Sequence, residues 1–170
     1  DWKQVAKEQY KYMDAFDNLK EGIRKATATH LPDLNLEWVL RTDASDIACG
    51  AVLLQINPHN KISIYEPIAF ISHKFSKAAT RWSVLEKELY GVIFAIKRLD
   101  YYIRGKPMVV ETDHSNIMYL EKTLIPKLIR WKLLLNSYPL TVRHIPGKLN
   151  TVADALSRLD MSDEGIPELD

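Results

Sequence analysis

The sequence predicts a mixed α/β fold, in which a central sheet carries helices on its faces. Near the middle of the chain the apolar pattern changes from short strand-like runs to a spacing of three and four residues, which is typical of an amphipathic helix. Short apolar runs separated by turn residues precede that helix, and runs of both kinds alternate after it. The chain of 170 residues is 46% apolar and 26% charged, which allows a globular domain with a sizeable core.

The first half of the chain predicts a helical extension followed by three strands. Apolar residues in the first 30 positions recur mostly every three or four residues, and Pro32 ends this helical pattern because proline disfavours helix at the residue before it. The predicted strands cover residues 36–41, 47–56 and 62–72. A turn at 57–60 separates the last two, so we expect an antiparallel meander.

The second half predicts helices that alternate with single strands. The long amphipathic helix runs from Trp82 to Ile103, and Gly105 and Pro107 end it. The pattern after it predicts a strand at 108–111, a short helix up to 120, a helix at 124–136, a strand at 139–145 and a helix at 151–159. The predicted order is therefore βββ-α-β-α-α-β-α behind the helical extension.

Charge and cysteine content limit the classes of function. The formal net charge is +1, so a nucleic-acid partner would have to meet a local basic surface rather than a global field. The single Cys49 excludes an intrachain disulfide framework, fits a reducing compartment, and lies in an apolar run that predicts a buried side chain. No apolar run approaches the roughly 18 residues of a membrane span.

One stretch of the chain offers such a local basic surface. Residues 122–153 contain no Asp or Glu. They include Lys127, Arg130, Lys132, Arg143 and Lys148, with Trp131 among them. Basic residues in a nearly neutral protein suit phosphate contacts. The alternative is a solvated helix face with Trp131 in the core.

Four acidic residues are the candidate catalytic and metal-binding groups. Asp43 and Asp113 each follow a threonine at the end of a predicted strand, and Asp154 opens the last helix. Glu88 flanks the apolar stripe of the long helix, but Glu86 flanks it on the other side, and periodicity does not choose between them. Carboxylates from separate elements are what Mg²⁺ needs, although each acid alone could serve only a turn or a helix cap.

Five ordered sequence blocks resemble the ribonuclease H domain of gypsy-type LTR-retrotransposon reverse transcriptases. The blocks are Thr-Asp-Ala-Ser with Gly-Ala-Val-Leu-Leu-Gln, Pro-Ile-Ala-Phe-Ile-Ser-His-Lys-Phe-Ser, Arg-Trp-Ser-Val-Leu-Glu-Lys-Glu-Leu-Tyr-Gly-Val, Thr-Asp-His, and His-Ile-Pro-Gly-Lys-Leu-Asn-Thr-Val-Ala-Asp-Ala-Leu-Ser-Arg. The resemblance covers residues 36–159. It implies that residues 1–35 tether this domain to a polymerase part, and residues 160–170 are predicted as an acidic tail or linker.

The resemblance implies a five-stranded mixed sheet of three antiparallel strands with parallel additions, flanked by helices. It also implies a two-metal active site, with Asp43, Glu88, Asp113 and Asp154 as catalytic metal ligands for two Mg²⁺ ions, for which Mn²⁺ can substitute. The family pattern matches Glu88 rather than Glu86 as the glutamate ligand. His144, ten residues before Asp154, matches a histidine that assists the water or leaving group in relatives. Asn150, four residues before Asp154, matches a further residue of those sites, and Ser45 and Asn150 are candidates for contact with the nucleic acid.

The function that follows is hydrolysis of the RNA strand of RNA–DNA hybrids during reverse transcription, leaving 5′-phosphates. Expected partners are the hybrid and the polymerase part of the same polyprotein, without membrane contact and with an oligomer possible in the full enzyme. The expected location is the cytoplasm, in virus-like particles. The alternatives are a non-catalytic spacer or nucleic-acid-binding domain of the same fold, and an integrase-like phosphotransferase acting on DNA.

Overall fold

A computed structural model of the chain describes residues 29–114 and 124–158. Residues 31–170 form one of two packing units, and every feature below belongs to it. The predicted N-terminal helical extension, the short helix ahead of residue 120 and the acidic tail lie outside the described residues.

Five strands form a single mixed sheet, which confirms the predicted fold class. The strands are β1 (Glu37–Ala44), β2 (Ala48–Ile56), β3 (Tyr65–Lys74), β4 (Met108–Thr112) and β5 (Leu140–His144), in the spatial order β3-β2-β1-β4-β5. The first three strands pair antiparallel, whereas β4 pairs parallel with both β1 and β5. Since β1 and β4 are parallel neighbours, their C-terminal ends lie at the same edge of the sheet.

Helices cover both faces of this sheet. They are α1 (Val84–Ile103), α2 (Pro126–Asn136) and α3 (Thr151–Ser157), with 3₁₀ turns at Ala79–Arg81 and Gly147–Leu149. The main core lies between the sheet and α1 with α2, and includes Ala51 of β2 and Leu89 of α1. α3 packs on Gly50, which directly precedes Ala51 in β2. Because successive strand residues point to opposite faces, α3 covers the face opposite to α1.

Several boundaries differ from the sequence prediction by up to three residues; β1, for example, extends to Ala44 rather than ending at residue 41. Two of these differences have local reasons. β3 begins at Tyr65 rather than residue 62, because Asn60 forms a turn in which its side-chain oxygen accepts the Ile62 amide at 2.9 Å. α1 begins at Val84 rather than Trp82, because Ser83 caps it. The Ser83 hydroxyl accepts the Glu86 amide, and the Glu86 carboxylate accepts the Ser83 amide, which together form a capping box.

Cys49 is buried, as predicted. It lies near the start of β2, close to α1. Its side chain is 1% exposed, and burial raises the pKa of the thiol to about 12, so it remains an uncharged apolar group. Among the described helices, α1 included, none combines the length and apolarity needed to cross a bilayer.

Candidate metal-dependent active site

Three carboxylates from three elements meet at the C-terminal edge of β1 and β4. Asp43 is the last but one residue of β1, Asp113 directly follows β4, and Glu88 lies in the second turn of α1. Gly91 lets this part of α1 approach the sheet, since a Cβ there would lie 3.3 Å from the Cys49 Cβ and 3.6 Å from the Asp43 carbonyl oxygen. The parallel pairing of β1 with β4 and the close packing of α1 therefore bring the acids together.

The three carboxylates form a compact and largely buried cluster. One oxygen each from Asp43, Glu88 and Asp113 lies within 4.8 Å of the other two. Asp43 and Glu88 are 6% and 5% exposed. Burial, helped by the charges of Asp43 and Asp113, raises the pKa of Glu88 to about 8. Burial raises the pKa of Asp43 as well, against a hydrogen bond from Ser157 that lowers it.

This cluster fits a hard divalent cation. Within the described residues, Oε2 of Glu88 is buried without a hydrogen-bond partner, a state that costs free energy unless a further group binds it. The donor set is all oxygen, as Mg²⁺ or Mn²⁺ prefers. A Cβ on Gly147 would lie 3.1 Å from Oδ2 of Asp113, so the backbone of this turn lies close beside that carboxylate. The cluster therefore concentrates acceptor oxygens that a cation can bind.

Asp154 lies beside the three-acid cluster but outside the 4.8 Å set. It belongs to the first turn of α3, and its charge contributes to the raised pKa of Asp43. Its Oδ1 accepts a hydrogen bond at 2.7 Å from Nε of Arg158, one turn later in the chain. All four predicted acids therefore lie at one edge of the sheet. Three of them form the cluster, and the fourth forms an ion pair with an arginine.

α3 reaches Asp43 because Gly50 has no side chain. Gly50 pairs with Asp43 across β1 and β2. A Cβ on Gly50 would lie 2.5 Å from the Leu156 Cβ and 2.6 Å from both the Ala153 carbonyl oxygen and the Ser157 amide nitrogen. Sequence reasoning assigned no role to Gly50, although a glycine inside a strand signals close approach of another backbone.

His144 and Asn150 flank the same edge. Nε2 of His144 lies 3.0 Å from the Asp113 carbonyl oxygen, and the imidazole is exposed. Since a carbonyl oxygen only accepts, Nε2 is the donor in this hydrogen bond. Asn150 is 1% exposed and donates to the Thr42 carbonyl oxygen at 2.9 Å, so it ties the start of α3 to β1.

The two glutamates that periodicity left unresolved have different surroundings. Glu88 belongs to the acid cluster. Glu86 is part of the capping box and forms an ion pair at 2.7 Å with Lys127 of α2. The Lys127 ammonium also lies 3.8 Å from the centre of the Trp82 ring, a cation–π contact. Lys127, predicted to contact nucleic acid, is therefore engaged in joining α1 to α2.

The other predicted nucleic-acid contacts divide into bound and exposed side chains. Arg143 donates to the buried Glu111 at 3.0 Å, and Arg41 binds the same carboxylate from the other side at 2.6 Å, so these residues join β1, β4 and β5. The Ser45 hydroxyl donates to the Ser157 carbonyl oxygen at 2.6 Å. Arg130 and Lys148 are exposed and Lys132 is half-buried. Trp131 packs partly buried against the main core, as predicted.

The sequence relationship to known proteins identifies the domain. Residues 33–138 match the model of the RNase H-like domain found in reverse transcriptase. The chain belongs to this family. The matched part of this RNase H-like domain includes Asp43, Glu88 and Asp113 and ends ahead of Asp154.

Similar proteins are retrotransposon polyproteins. The RNase H-like domain is 37% identical over 158 residues to the retrovirus-related Pol polyprotein from transposon 297 of Drosophila melanogaster, covering 92% of this chain and 14% of that polyprotein. It is 40% identical over 151 residues to the polyprotein from transposon 412 of the same organism, covering 88% and 12%. The transposon Tf2-3 polyprotein of Schizosaccharomyces pombe is 34% identical over 160 residues, covering 91% and 12%. The chain thus spans about an eighth of the length of these relatives.

Solved structures share the fold at low sequence identity. The foamy viral protease-reverse transcriptase in complex with dsDNA superposes with a TM-score of 0.58 and 20% identity, covering 80% of this chain and 29% of that one. RNase H1 from Halobacterium salinarum superposes with a TM-score of 0.50 and 14% identity, covering 71% of this chain and 92% of that one. The RNase H-like sheet with flanking helices is therefore common to all three.

Proposed function

We propose that this domain is a ribonuclease H that hydrolyses the RNA strand of an RNA–DNA hybrid with divalent cations, Mg²⁺ or Mn²⁺, during reverse transcription. The observation that carries this proposal is the buried cluster of Asp43, Glu88 and Asp113, whose oxygens lie within 4.8 Å of one another. A foamy viral protease-reverse transcriptase has been solved in complex with an RNA/DNA hybrid, with a TM-score of 0.55 to this chain, and this supports the choice of substrate.

Each site residue has a role that follows from its place. Asp43, Glu88 and Asp113 would hold the cations, and Asp154, at the adjacent first turn of α3, would complete a site for two of them. When bound, such cations lower the pKa of a water and stabilise both the attacking and leaving oxygens of a phosphodiester. His144, whose Nε2 lies 3.0 Å from the Asp113 carbonyl oxygen, is the candidate at this edge for proton transfer to or from the water or the leaving group.

Substrate contact would use basic side chains that are exposed. Arg130 and Lys148 are exposed. They therefore remain available to phosphates, whereas Lys127 and Arg143 already bind carboxylates. The polymerase part of a longer polyprotein would supply further contacts, and a cytoplasmic particle is the setting we propose for the reaction. Removing a phosphate contact of this kind weakens binding to all nucleic-acid sequences by a similar amount.

A cleavage assay tests the proposal. The native chain is incubated with Mg²⁺ and a hybrid labelled on the RNA strand, beside Asp113→Asn. We expect the native protein to release RNA fragments with 5′-phosphates, and Asp113→Asn to lose nearly all cleavage while still binding the hybrid. Asp100→Asn is the matched control, because Asp100 lies near the other end of α1, where it binds Arg104 and Tyr138.

The outcomes separate the competing functions. No cleavage by a native chain with normal circular dichroism would favour a non-catalytic spacer. Cleavage or strand transfer on double-stranded DNA, without action on the hybrid, would favour an integrase-like enzyme. Hybrid binding without cleavage, equal in the native protein and in Asp113→Asn, would favour a binding module. The intact acid cluster argues against the first and third of these alternatives.

A further inference from the structure

Serine side chains fasten the end of α3 to the sheet. The Ser72 hydroxyl of β3 donates to the Leu156 carbonyl oxygen at 2.7 Å, and the Ser45 hydroxyl after β1 donates to the Ser157 carbonyl oxygen at 2.6 Å. α3 has only seven residues, too few to be stable without tertiary contacts. These hydrogen bonds satisfy carbonyls that a helix end leaves without partners, and they fix where α3 lies.

Ser157 also contacts the acid cluster directly. Its Oγ lies 2.6 Å from Oδ2 of Asp43, and the Ser157 residue is fully buried. The same Oγ lies 2.9 Å from the Asp154 carbonyl oxygen. A hydroxyl has one proton, and a carboxylate is the stronger acceptor at the shorter distance, so the proton belongs on the bond to Asp43.

We propose that Ser157 is a positioning residue for the divalent cation, which fixes the Asp43 carboxylate and sets α3, with Asp154, against it. Its hydrogen bond engages Oδ2 of Asp43 and thereby restricts rotation of that carboxylate. Because Ser157 follows Asp154 by one helical turn, the bond also holds the first and fourth acids at a constant separation. This inference rests on the proposed function.

Two considerations favour this role over a merely structural one. Asp43 is repelled by Asp113 and Asp154, so a carboxylate at this place needs a donor to stay in one orientation while it is charged. Ser45 and Ser72 already fasten the end of α3 through its backbone carbonyls. What the side chain of Ser157 adds to these anchors is its contact with the carboxylate of Asp43.

The experiment compares Ser157→Ala with Ser72→Ala in the complete chain. Both substitutions remove one serine hydroxyl that connects α3 to the sheet, buried at Ser157 and half-buried at Ser72, but only the first removes the donor to Asp43. The affinity for Mg²⁺ and Mn²⁺ is measured by titration calorimetry without nucleic acid. A hydrogen bond to a charged group corresponds to about a tenfold change in affinity. We therefore expect Ser157→Ala to bind about tenfold more weakly and Ser72→Ala to stay within about twofold of native.

Cleavage provides a second measurement. For Ser157→Ala we expect the Mg²⁺ concentration that gives half-maximal cleavage to rise about tenfold, with much of the rate recovered at saturating Mg²⁺. A loss of fold would lower the rate at every Mg²⁺ concentration instead. Ser157→Cys, close in size but a weak donor, repeats the comparison if the alanine variant does not fold.

The outcomes are decisive in both directions. Equal changes of affinity in Ser157→Ala and Ser72→Ala, or no change in either, would overturn the inference, as would a native chain that binds no divalent cation. A native chain that binds the cation and loses affinity in Ser157→Ala, yet does not cleave the hybrid, would support the inference. That result would refute the proposed ribonuclease activity alone.

Discussion

Glu86 and Glu88 lie two residues apart on α1 and have opposite ionisation behaviour. The Lys127 ammonium and the Ser83 backbone lower the pKa of Glu86, whereas burial and the neighbouring acids raise the pKa of Glu88 to about 8. One glutamate therefore serves the helix cap and the contact between α1 and α2. The other is held at a place where its charge is unfavourable until a cation arrives. At the residue scale, environment rather than residue type separates a structural acid from a candidate ligand.

The metal-free protein should lose stability as the pH rises, because of Glu88. Its folded pKa is about 8, above the value of roughly 4.3 usual for unfolded Glu, so the folded state binds more protons between these values. The contribution of Glu88 to the free energy of unfolding is therefore fully present below about pH 4.3, and it is lost as the pH rises to 8. In EDTA, thermal unfolding should show Tm falling by about 5–10 °C from pH 5 to pH 8.5.

The substitution Glu88→Gln identifies the group responsible for this pH dependence. Glutamine keeps the volume and does not titrate, so the fall in Tm should become much smaller. Glu86→Gln is the matched control and should keep the fall, since Glu86 has a lowered pKa. A fall of equal size in Glu88→Gln and the native protein would contradict the assignment, and would point to Asp43, whose pKa is raised as well.

At the scale of elements, the close approach of α3 to β2 decides whether the fourth acid reaches the site. Gly50 leaves no room for a side chain beneath Ala153, Leu156 and Ser157. Asn150 and Ser45 then tie the two ends of α3 to β1. A seven-residue helix is positioned by these contacts and not by its own propensity.

Gly50→Ala should therefore displace α3 and impair the site. The added methyl would meet atoms at 2.5–2.6 Å, including backbone of α3, and overpacking of this kind costs about 1–3 kcal/mol. We expect a lower free energy of unfolding by urea, together with a divalent affinity at least about tenfold weaker. Gly105→Ala is the control: Gly105 has a φ of +75° but open space around it, so stability should fall by about 1 kcal/mol with metal affinity unchanged. Native metal affinity in Gly50→Ala would show that α3 does not contribute to the site.

At the scale of the whole molecule, a nearly neutral chain concentrates negative charge at one edge of its sheet. The net charge is +1, yet three carboxylates have oxygens within 4.8 Å and Asp154 lies beside them. Arg158 pairs with Asp154, and other arginines bind carboxylates away from this edge, as in the Arg41–Glu111–Arg143 group that joins three strands. The fold is thus held together away from the site, and the cluster is left to be neutralised by cations.

Divalent cations should consequently stabilise the folded chain. At about 100 times the dissociation constant, a ligand that binds only the folded state adds about 2.7 kcal/mol, which corresponds to a rise in Tm of about 5–10 °C for a chain of this size. Thermal unfolding with Mg²⁺ or Mn²⁺ should show this rise, and EDTA should reverse it. Asp43→Asn, which removes one ligand, should lose most of the increment. An equal rise in Asp43→Asn would mean that the cations bind elsewhere.

Most of the fold could be predicted from the sequence because its signals are local. The change of apolar period located β1 to β3 and α1, and the predicted strands at the positions of β4 and β5 agree with the structure within two residues. The errors were boundaries at which side chains compete with the backbone, such as Asn60 before β3 and Ser83 at α1. Periodicity could not choose between Glu86 and Glu88, because both flank the same apolar stripe.

The sequence by itself determined the fold class, the family and the four acids as candidates, since each of these depends on residue order and local period. Only the tertiary structure decided which groups meet. It brings Asp43, Glu88 and Asp113 into one cluster. It also pairs Asp154 with Arg158 and Arg143 with Glu111. It also revealed Ser157 as the contact between the first acid and the last helix. These contacts join residues up to 114 positions apart, and their distances depend on how closely helices pack on the sheet, which no local pattern encodes.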